Sequence, residues 1–220
     1  MGPATMMTFL PSTTIILTYT LACIVLFVTP GPDMSLMLAK TLSGGRRQGF
    51  AALVGTTAGC CVQTMLAALG VSALLAASVT AFTILKIVGA LYLMWLAFEA
   101  IRHGSALSVD AKRPAKPMPL WRTALVGLGI NLTNPKVVLF FVTFLPQFVN
   151  ASDPHASAKL WFLGLYFVVV ATPLSIALVL AADRVVGALK RRPRVMRVID
   201  YGFASLFGAF ALKMLTVQGR

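Results

Sequence analysis

An acidic side chain directly follows a proline-rich break inside a long apolar stretch. Pro30 and Pro32 lack the N–H group that a helix uses for its hydrogen bond four residues back, and Gly31 between them adds flexibility. We expect the helix to break here and to leave backbone groups that only a protein-lined or wet cavity can satisfy. Asp33 lies about 13 Å inside the stretch if the chain is helical. A carboxylate at that depth is a candidate for ligand binding or proton exchange. The alternative is the N-cap of a kinked but otherwise ordinary helix.

A basic side chain occupies the equivalent place in a later apolar stretch. Asn131, Asn134, Pro135 and Lys136 lie about 15–22 Å from the start of that stretch, near the middle of a membrane. Asn134 can both donate and accept hydrogen bonds, which suits a zwitterion. Lys136 can hold a carboxylate or neutralise Asp33. The sequence therefore predicts that Asp33 and Lys136 approach in at least one state, with substrate or a proton competing for the pair. A purely structural ion pair is the alternative.

The remaining polar residues in apolar stretches carry weaker predictions. Gln63 is predicted to line the same cavity as the two charges. Cys60 and Cys61 are interpreted as small packing residues of a helix. The two histidines, His103 and His155, fall in predicted loops, and the chain has no CxxC motif. Because metal sites need clustered ligands, neither a metal site nor a cofactor is expected.

The composition places these residues in a membrane protein. Hydrophobic residues make up 58% of the 220 residues, charged residues 11%, and the mean hydropathy is +0.86. A soluble domain carries about 25% charge, so the solvent of this chain must be largely lipid. We expect one polytopic domain over residues 1–220. Because no Lys or Arg precedes Lys40, we expect the first apolar segment to be retained rather than cleaved as a signal peptide.

Hydropathy predicts six spans, of which the first and fourth are broken by proline. A proline-containing linker at 103–120 separates two halves, at about 10–102 and 121–217. The predicted spans are 12–42, 50–77, 81–101, 121–149, 158–186 and 198–217.

The basic residues predict the orientation of these spans. The five connections hold three, none, five, one and six Lys or Arg residues in chain order. Cytoplasmic loops carry the Lys/Arg excess, so the odd connections are cytoplasmic and both termini face outward. This placement also explains the net charge of +13 without nucleic acid as a partner.

Three spans per half imply an inverted repeat. The second half enters the membrane from the opposite side, an arrangement common in secondary transporters, which bind substrate near the midplane at broken helices. The expected fold is thus all-α, with six transmembrane helices in two inverted three-helix repeats. Gly55 and Gly59 form a small-residue face suited to close helix packing.

Four motifs give the chain a family resemblance over residues 10–217. They are Thr29-Pro30-Gly31-Pro32-Asp33, Gly44-Gly45-Arg46-Arg47-Gln48-Gly49, Asn134-Pro135-Lys136 and Phe144-Leu145-Pro146-Gln147-Phe148. With them the sequence resembles the lysine-exporter (LysE/RhtB-type) amino-acid efflux family. The resemblance implies a multi-pass protein of the bacterial inner membrane that exports amino acids or close derivatives, driven by proton exchange. It also places the first and third motifs at the functional site.

Two other functions remain as alternatives. Related folds carry divalent metals or other small ions, but one deep carboxylate and two cysteines are few ligands for a metal. An intramembrane thiol oxidoreductase using Cys60 and Cys61 would require a motif that this chain lacks, and no enzyme activity is expected. The expected partners are a zwitterionic amino acid, protons and the lipid bilayer, and the sequence leaves homo-oligomerisation open.

Overall fold

The computed structural model describes residues 11–103, 118–150, 153–191 and 193–217, and every regular element in these ranges is helical. The expectation of an all-α chain is therefore confirmed. Most of the predicted linker, residues 104–117, lies outside the described ranges. In chain order the elements are α1 (Thr13–Val28), α2 (Pro32–Ala77), α3 (Val79–His103), α4 (Leu120–Thr133), α5 (Pro135–Leu139), a π-helical turn (Phe140–Phe144), a 3₁₀ turn (Leu145–Phe148), α6 (Ala156–Leu180), α7 (Ala182–Arg191) and α8 (Pro193–Val217).

The first proline break lies where the sequence predicts it. Thr29 leaves α1 with an extended backbone (φ −66°, ψ 118°), and Gly31 is also extended (φ −168°, ψ −175°). Pro32 then begins α2, in the first turn, where a missing N–H group removes no helical hydrogen bond. Asp33 is consequently the second residue of a new helix.

The second break separates α4 from α5 at Asn134. This residue is extended (φ −71°, ψ 107°), and Pro135 begins α5. The segments before and after the break, Leu120–Thr133 and Pro135–Phe148, are bent by 55° relative to each other. Both breaks therefore follow one pattern, in which a proline begins a new helix and a charged residue follows it.

A third bend occurs within α2, at Gly45. Its φ of 78° is the only positive φ in the described ranges, and a Cβ atom there would meet nothing within 4 Å. The backbone conformation, and not crowding, therefore explains the glycine. The connection predicted between the first two spans is thus a kink between two helical parts of α2 rather than a loop.

The described helices include segments long and apolar enough to cross a membrane. Pro32–Val71 and α6 qualify alone, and the bent segment Leu120–Phe148 gives a third if it counts as one span. Large apolar side chains face outward, for example Leu17 at 66% and Val169 at 68% exposure. Such a surface suits lipid rather than water. The chain is therefore a helical membrane protein, while the six-span inverted repeat stays a prediction.

The fifth predicted span, 158–186, extends beyond the C-terminal end of the helix that the structure shows. α6 stops at Leu180, and Ala181 (φ −105°, ψ 17°) separates it from α7. α7 buries Ala182 and Val186 against the first part of α2 and exposes Asp183. It is thus a short amphipathic helix that packs against the bundle.

The glycines of α2 allow a close crossing with α4. A Cβ atom on Gly55 would lie 1.9 Å from the carbonyl oxygen of Ala124, and one on Gly59 would lie 2.4 Å from the Asn131 side chain. The packing face predicted for Gly55 and Gly59 is therefore the contact with α4. This contact brings Asn131, fully buried, towards the start of α2.

Aromatic rings hold the segment after the second break in place. Phe140, Phe141 and Phe144 of the π-helical turn are fully buried, and Phe140 packs against Tyr19 of α1 and Phe167 of α6. The second broken segment is thus wedged between α1 and α6.

Candidate functional site

The Asp33 carboxylate is bound by the segment that contains the second break. Its Oδ2 accepts a hydrogen bond from Nδ2 of Asn131 at 2.7 Å, and its Oδ1 accepts one from Nδ2 of Asn134 at 3.0 Å. Asp33 also lies in the first turn of α2, where the helix dipole favours a negative charge. The carboxylate is therefore stabilised by two amide donors and by its own helix.

The Lys136 ammonium is bound by the first break in return. Its Nζ donates to the carbonyl oxygen of Leu26 at 2.9 Å and to that of Thr29 at 2.6 Å. In an unbroken helix the Leu26 carbonyl would accept from residue 30, but Pro30 has no N–H group. The proline thus frees a carbonyl at the C-terminal end of α1, where the helix dipole favours a cation.

Asn134 links the two charges. Its Nδ2 donates to Asp33, while its Oδ1 accepts from the backbone N–H of Lys136 at 3.1 Å and so caps α5. Asp33 and Lys136 form no direct ion pair; the hydrogen bonds described above occupy both. In this structure both side chains line one cavity, and their direct approach stays a prediction.

A cavity of about 70 Å³ opens between the two breaks. A buried water needs roughly 10–15 Å³ measured in this way, so there is room for several waters or for the charged head of a small molecule. The polar part of its wall includes Asp33, Thr56, Thr57, Cys60, Asn134, Lys136, Thr172 and Ser175. The apolar part includes Leu26, Phe27, Met34, Met37, Val137 and Phe167.

Asn131 does not line this cavity, but its hydrogen bond helps to position Asp33, which does. Besides its bond to Asp33, its Nδ2 lies 3.4 Å from Sγ of Cys60, and its Oδ1 has no partner among the described residues. Cys60 lines the cavity and Cys61 is exposed. The two cysteines thus point to different surroundings, and Cys60 belongs to the site wall.

Gln63 lies apart from the two charges, contrary to its predicted place in the cavity. It is buried and lines a second, apolar cavity with residues such as Val71, Leu85 and Val138. Gln63 is three residues beyond Cys60 on α2, and thus about 4.5 Å further along the helix axis, past the last α2 residue of the cavity wall. Within the described ranges, no three His, Cys, Asp or Glu side chains cluster as metal ligands would.

The sequence does not single out the hydroxyl residues of the cavity wall. Thr56 of α2 and Thr172 of α6 line the cavity while donating to carbonyls of their own helices, Leu53 and Val168. Their oxygens keep lone pairs free for a ligand. Only their spacing along the helix points to the cavity. Thr56 and Cys60 are four residues apart, so they share one face of α2.

The broken apolar helices define a helical membrane protein with a cavity of mixed polar and apolar lining between its two breaks. The chain belongs to the LysE type translocator family, whose profile it matches over residues 24–218. The resemblance seen in the four motifs is thereby confirmed.

Named relatives span nearly the whole chain. A leucine efflux protein of Klebsiella pneumoniae is 26% identical, over 92% of this chain and 95% of its own length. Membrane proteins of Pseudomonas aeruginosa and Vibrio cholerae are each 30% identical, over 90% and 92% of this chain and 94% and 97% of their own. No solved structure is a significant match.

Proposed function

We propose that this protein exports amino acids from the bacterial cytoplasm and binds them in the cavity between its two breaks. The observation that carries the proposal is the placement of Asp33 and Lys136 on the wall of one cavity. A zwitterion presents an ammonium and a carboxylate, and these walls offer a charge of each complementary sign. Membership of a translocator family and the leucine efflux proteins among the relatives support the same reading.

The reciprocal bonding of the two breaks supports two inverted halves in one membrane domain, residues 1–220. The first break binds Lys136 of the second half, and the second binds Asp33 of the first. Such exchange is expected where equivalent segments meet across a pseudo-two-fold axis. We therefore retain the arrangement of six spans in the inner membrane.

The fourth connection supports the outward position of both termini. Its only basic residue, Lys159, forms an ion pair with Asp153, and the ammonium lowers the pKa of that carboxyl. A connection with a single Lys or Arg residue is expected to face outward.

The apolar wall favours a hydrophobic amino acid as the first substrate to test. Met34, Met37 and Phe167 offer flexible and aromatic surface to an aliphatic side chain. Because leucine is the substrate in the name of several relatives, leucine leads the series.

Proton exchange is the proposed driving force, and Asp33 is its proposed carrier. Among the described residues it is the one carboxylate on the cavity wall. Protonation would weaken its acceptor bonds to Asn131 and Asn134 and so connect proton binding to the geometry of both breaks.

A growth-rescue screen tests the proposed export. Bacterial cells that lack their own exporters are fed dipeptides, one amino acid at a time, so that hydrolysis raises the internal amino acid to a toxic level. Expression of the wild-type protein should restore growth for at least one amino acid. Asp33→Asn should not, whereas the exposed Asp183→Asn should rescue as well as wild type. Equal rescue by both variants would contradict a role for the cavity.

A further inference from the structure

The first break forms a cation site out of backbone oxygens. The carbonyls of Leu26 and Thr29 converge on one nitrogen, at 2.9 and 2.6 Å, and both residues are 3% exposed. Pro30 cannot satisfy the first carbonyl, and the end of α1 leaves the second without a helical partner. These oxygens therefore require a donor from outside α1, and in this structure the donor is the Lys136 ammonium.

A lysine ammonium and the α-ammonium of an amino acid are the same chemical group. Each is a primary –NH3⁺ with three donors and no acceptor. We propose that Lys136 is a built-in stand-in for the substrate: its ammonium holds the Leu26–Thr29 carbonyl site while the carrier is unloaded, and the substrate's α-ammonium takes that site during export. This inference rests on the proposed amino-acid export and names the part of the site that binds the ammonium.

The replacement of one ammonium by the other has a function because unpaired buried carbonyls are costly. A carrier that moves between inward and outward states must pass through a closed state, in which buried carbonyls without a donor would be costly. Substrate satisfies them on the way out, and Lys136 satisfies them on the return. When substrate displaces Lys136, the freed ammonium remains on the cavity wall, where the substrate carboxylate or Asp33 can pair with it.

Gly31 offers a way to disturb this contact without removing a charge. A Cβ atom on Gly31 would lie 3.2 Å from Nζ and 3.4 Å from Cε of Lys136, so the lysine side chain runs directly over the glycine. The backbone of Gly31 is extended (φ −168°), a conformation that alanine also adopts. Gly31→Ala should therefore displace the ammonium by a few tenths of an ångström and weaken its bonds to the carbonyls, while leaving both helices intact.

The test compares two modes of transport in proteoliposomes of the purified protein, with radiolabelled leucine as the first probe and the other amino acids after it. Exchange, with the amino acid on both sides, never requires the unloaded carrier to cross, whereas net efflux does. In Lys136→Met, net efflux should fall by at least about tenfold more than exchange, because the unloaded carrier loses the donor to its carbonyls, whereas the loaded carrier keeps the substrate's ammonium there. Gly31→Ala should shift the ratio in the same direction by a smaller factor. Gly70→Ala, where a Cβ atom meets nothing within 4 Å, is the matched control and should leave the ratio at the wild-type value.

Two results would overturn the inference. Equal loss of exchange and net efflux in Lys136→Met and in Gly31→Ala, with both proteins folded, would make Lys136 an ordinary ligand or a structural residue. Unchanged transport in both modes would show that the carbonyl site does not matter. A wild-type protein that moves no amino acid in either mode would instead contradict the proposed function, which separates the two failures.

Discussion

At the scale of single residues, the site consists of two charges that are each satisfied by the opposite break. Asp33 accepts from two asparagine amides, and Lys136 donates to two backbone carbonyls. Residue type and spacing were sufficient to predict both charges, because a lone charge inside an apolar stretch is costly. Their partners could not be predicted. The sequence favours the simplest pairing of opposite signs, whereas the carbonyls freed by Pro30 become available only in the folded chain.

Asp33→Asn tests the acidic side of the site. The amide keeps the shape but has one acceptor oxygen for two amide donors, so one bond should be lost at a cost of roughly 1–3 kcal/mol. The protein should still reach the membrane, yet a pH gradient should no longer drive export in proteoliposomes. Asp183→Asn, on the exposed face of α7, serves as the control. Export driven by a pH gradient at the wild-type rate in Asp33→Asn would rule this residue out as the proton carrier.

At the scale of elements, prolines and glycines decide how the helices present these charges. The two proline breaks were predictable because proline removes a defined hydrogen bond. The bend at Gly45 was not, since glycines among arginines are typical of a loop. The end of α6 at Leu180 has no proline or glycine signal either, so the hydropathy of the segment extended the predicted span too far.

Replacing both Pro30 and Pro32 by alanine tests the first break. Residue 30 would regain an N–H group and compete with Lys136 for the Leu26 carbonyl. A hydrogen bond to a charged group contributes roughly 1.5–3 kcal/mol, and each 1.4 kcal/mol is about tenfold in rate. Export should thus fall at least about tenfold while membrane levels, measured by immunoblot, stay normal. Export by this variant at the wild-type rate would show that the motif bends the chain but has no role in transport.

Gly55→Ala tests the crossing of α2 and α4. The new Cβ atom would lie 1.9 Å from the backbone oxygen of Ala124, so the helices must separate, at a cost of about 1–3 kcal/mol or more. Thermal unfolding in detergent should occur at lower temperature, and export should decline. Gly129→Ala, with open space around its Cβ position, is the control. An equal melting temperature for both variants would contradict the close crossing.

At the scale of the whole molecule, the fold brings two distant breaks to one cavity. Apolar stretches and basic connections were sufficient to predict a helical membrane protein, and the four motifs to predict its family. The contents of the cavity wall were less predictable, as Gln63 and the hydroxyl residues show. Which face of a long apolar helix points inward depends on its neighbours, and an all-round apolar sequence has no periodicity that reveals it.

Reporter fusions test the orientation of the whole chain. A periplasm-active reporter after Arg220 should be active, and a cytoplasm-active reporter after Lys112 should be active as well. Both follow from the basic residues concentrated in the odd connections. With Lys112 cytoplasmic, activity after Arg220 only in the cytoplasmic format would require an even number of spans in the second half and would contradict the three-span inverted repeat.

Efflux from proteoliposomes is the most direct measurement of the central claim, that amino acids leave through the cavity between the breaks. Vesicles containing purified protein are loaded with one radiolabelled amino acid at a time, and its release is followed after a pH gradient is imposed. The wild-type protein should release leucine or another amino acid faster than protein-free vesicles. The double variant Asp33→Asn with Lys136→Met, which keeps the net charge of the pair, should release it no faster than the lipid alone. Release by the double variant at the wild-type rate, or no release of any amino acid by the wild type, would contradict the claim.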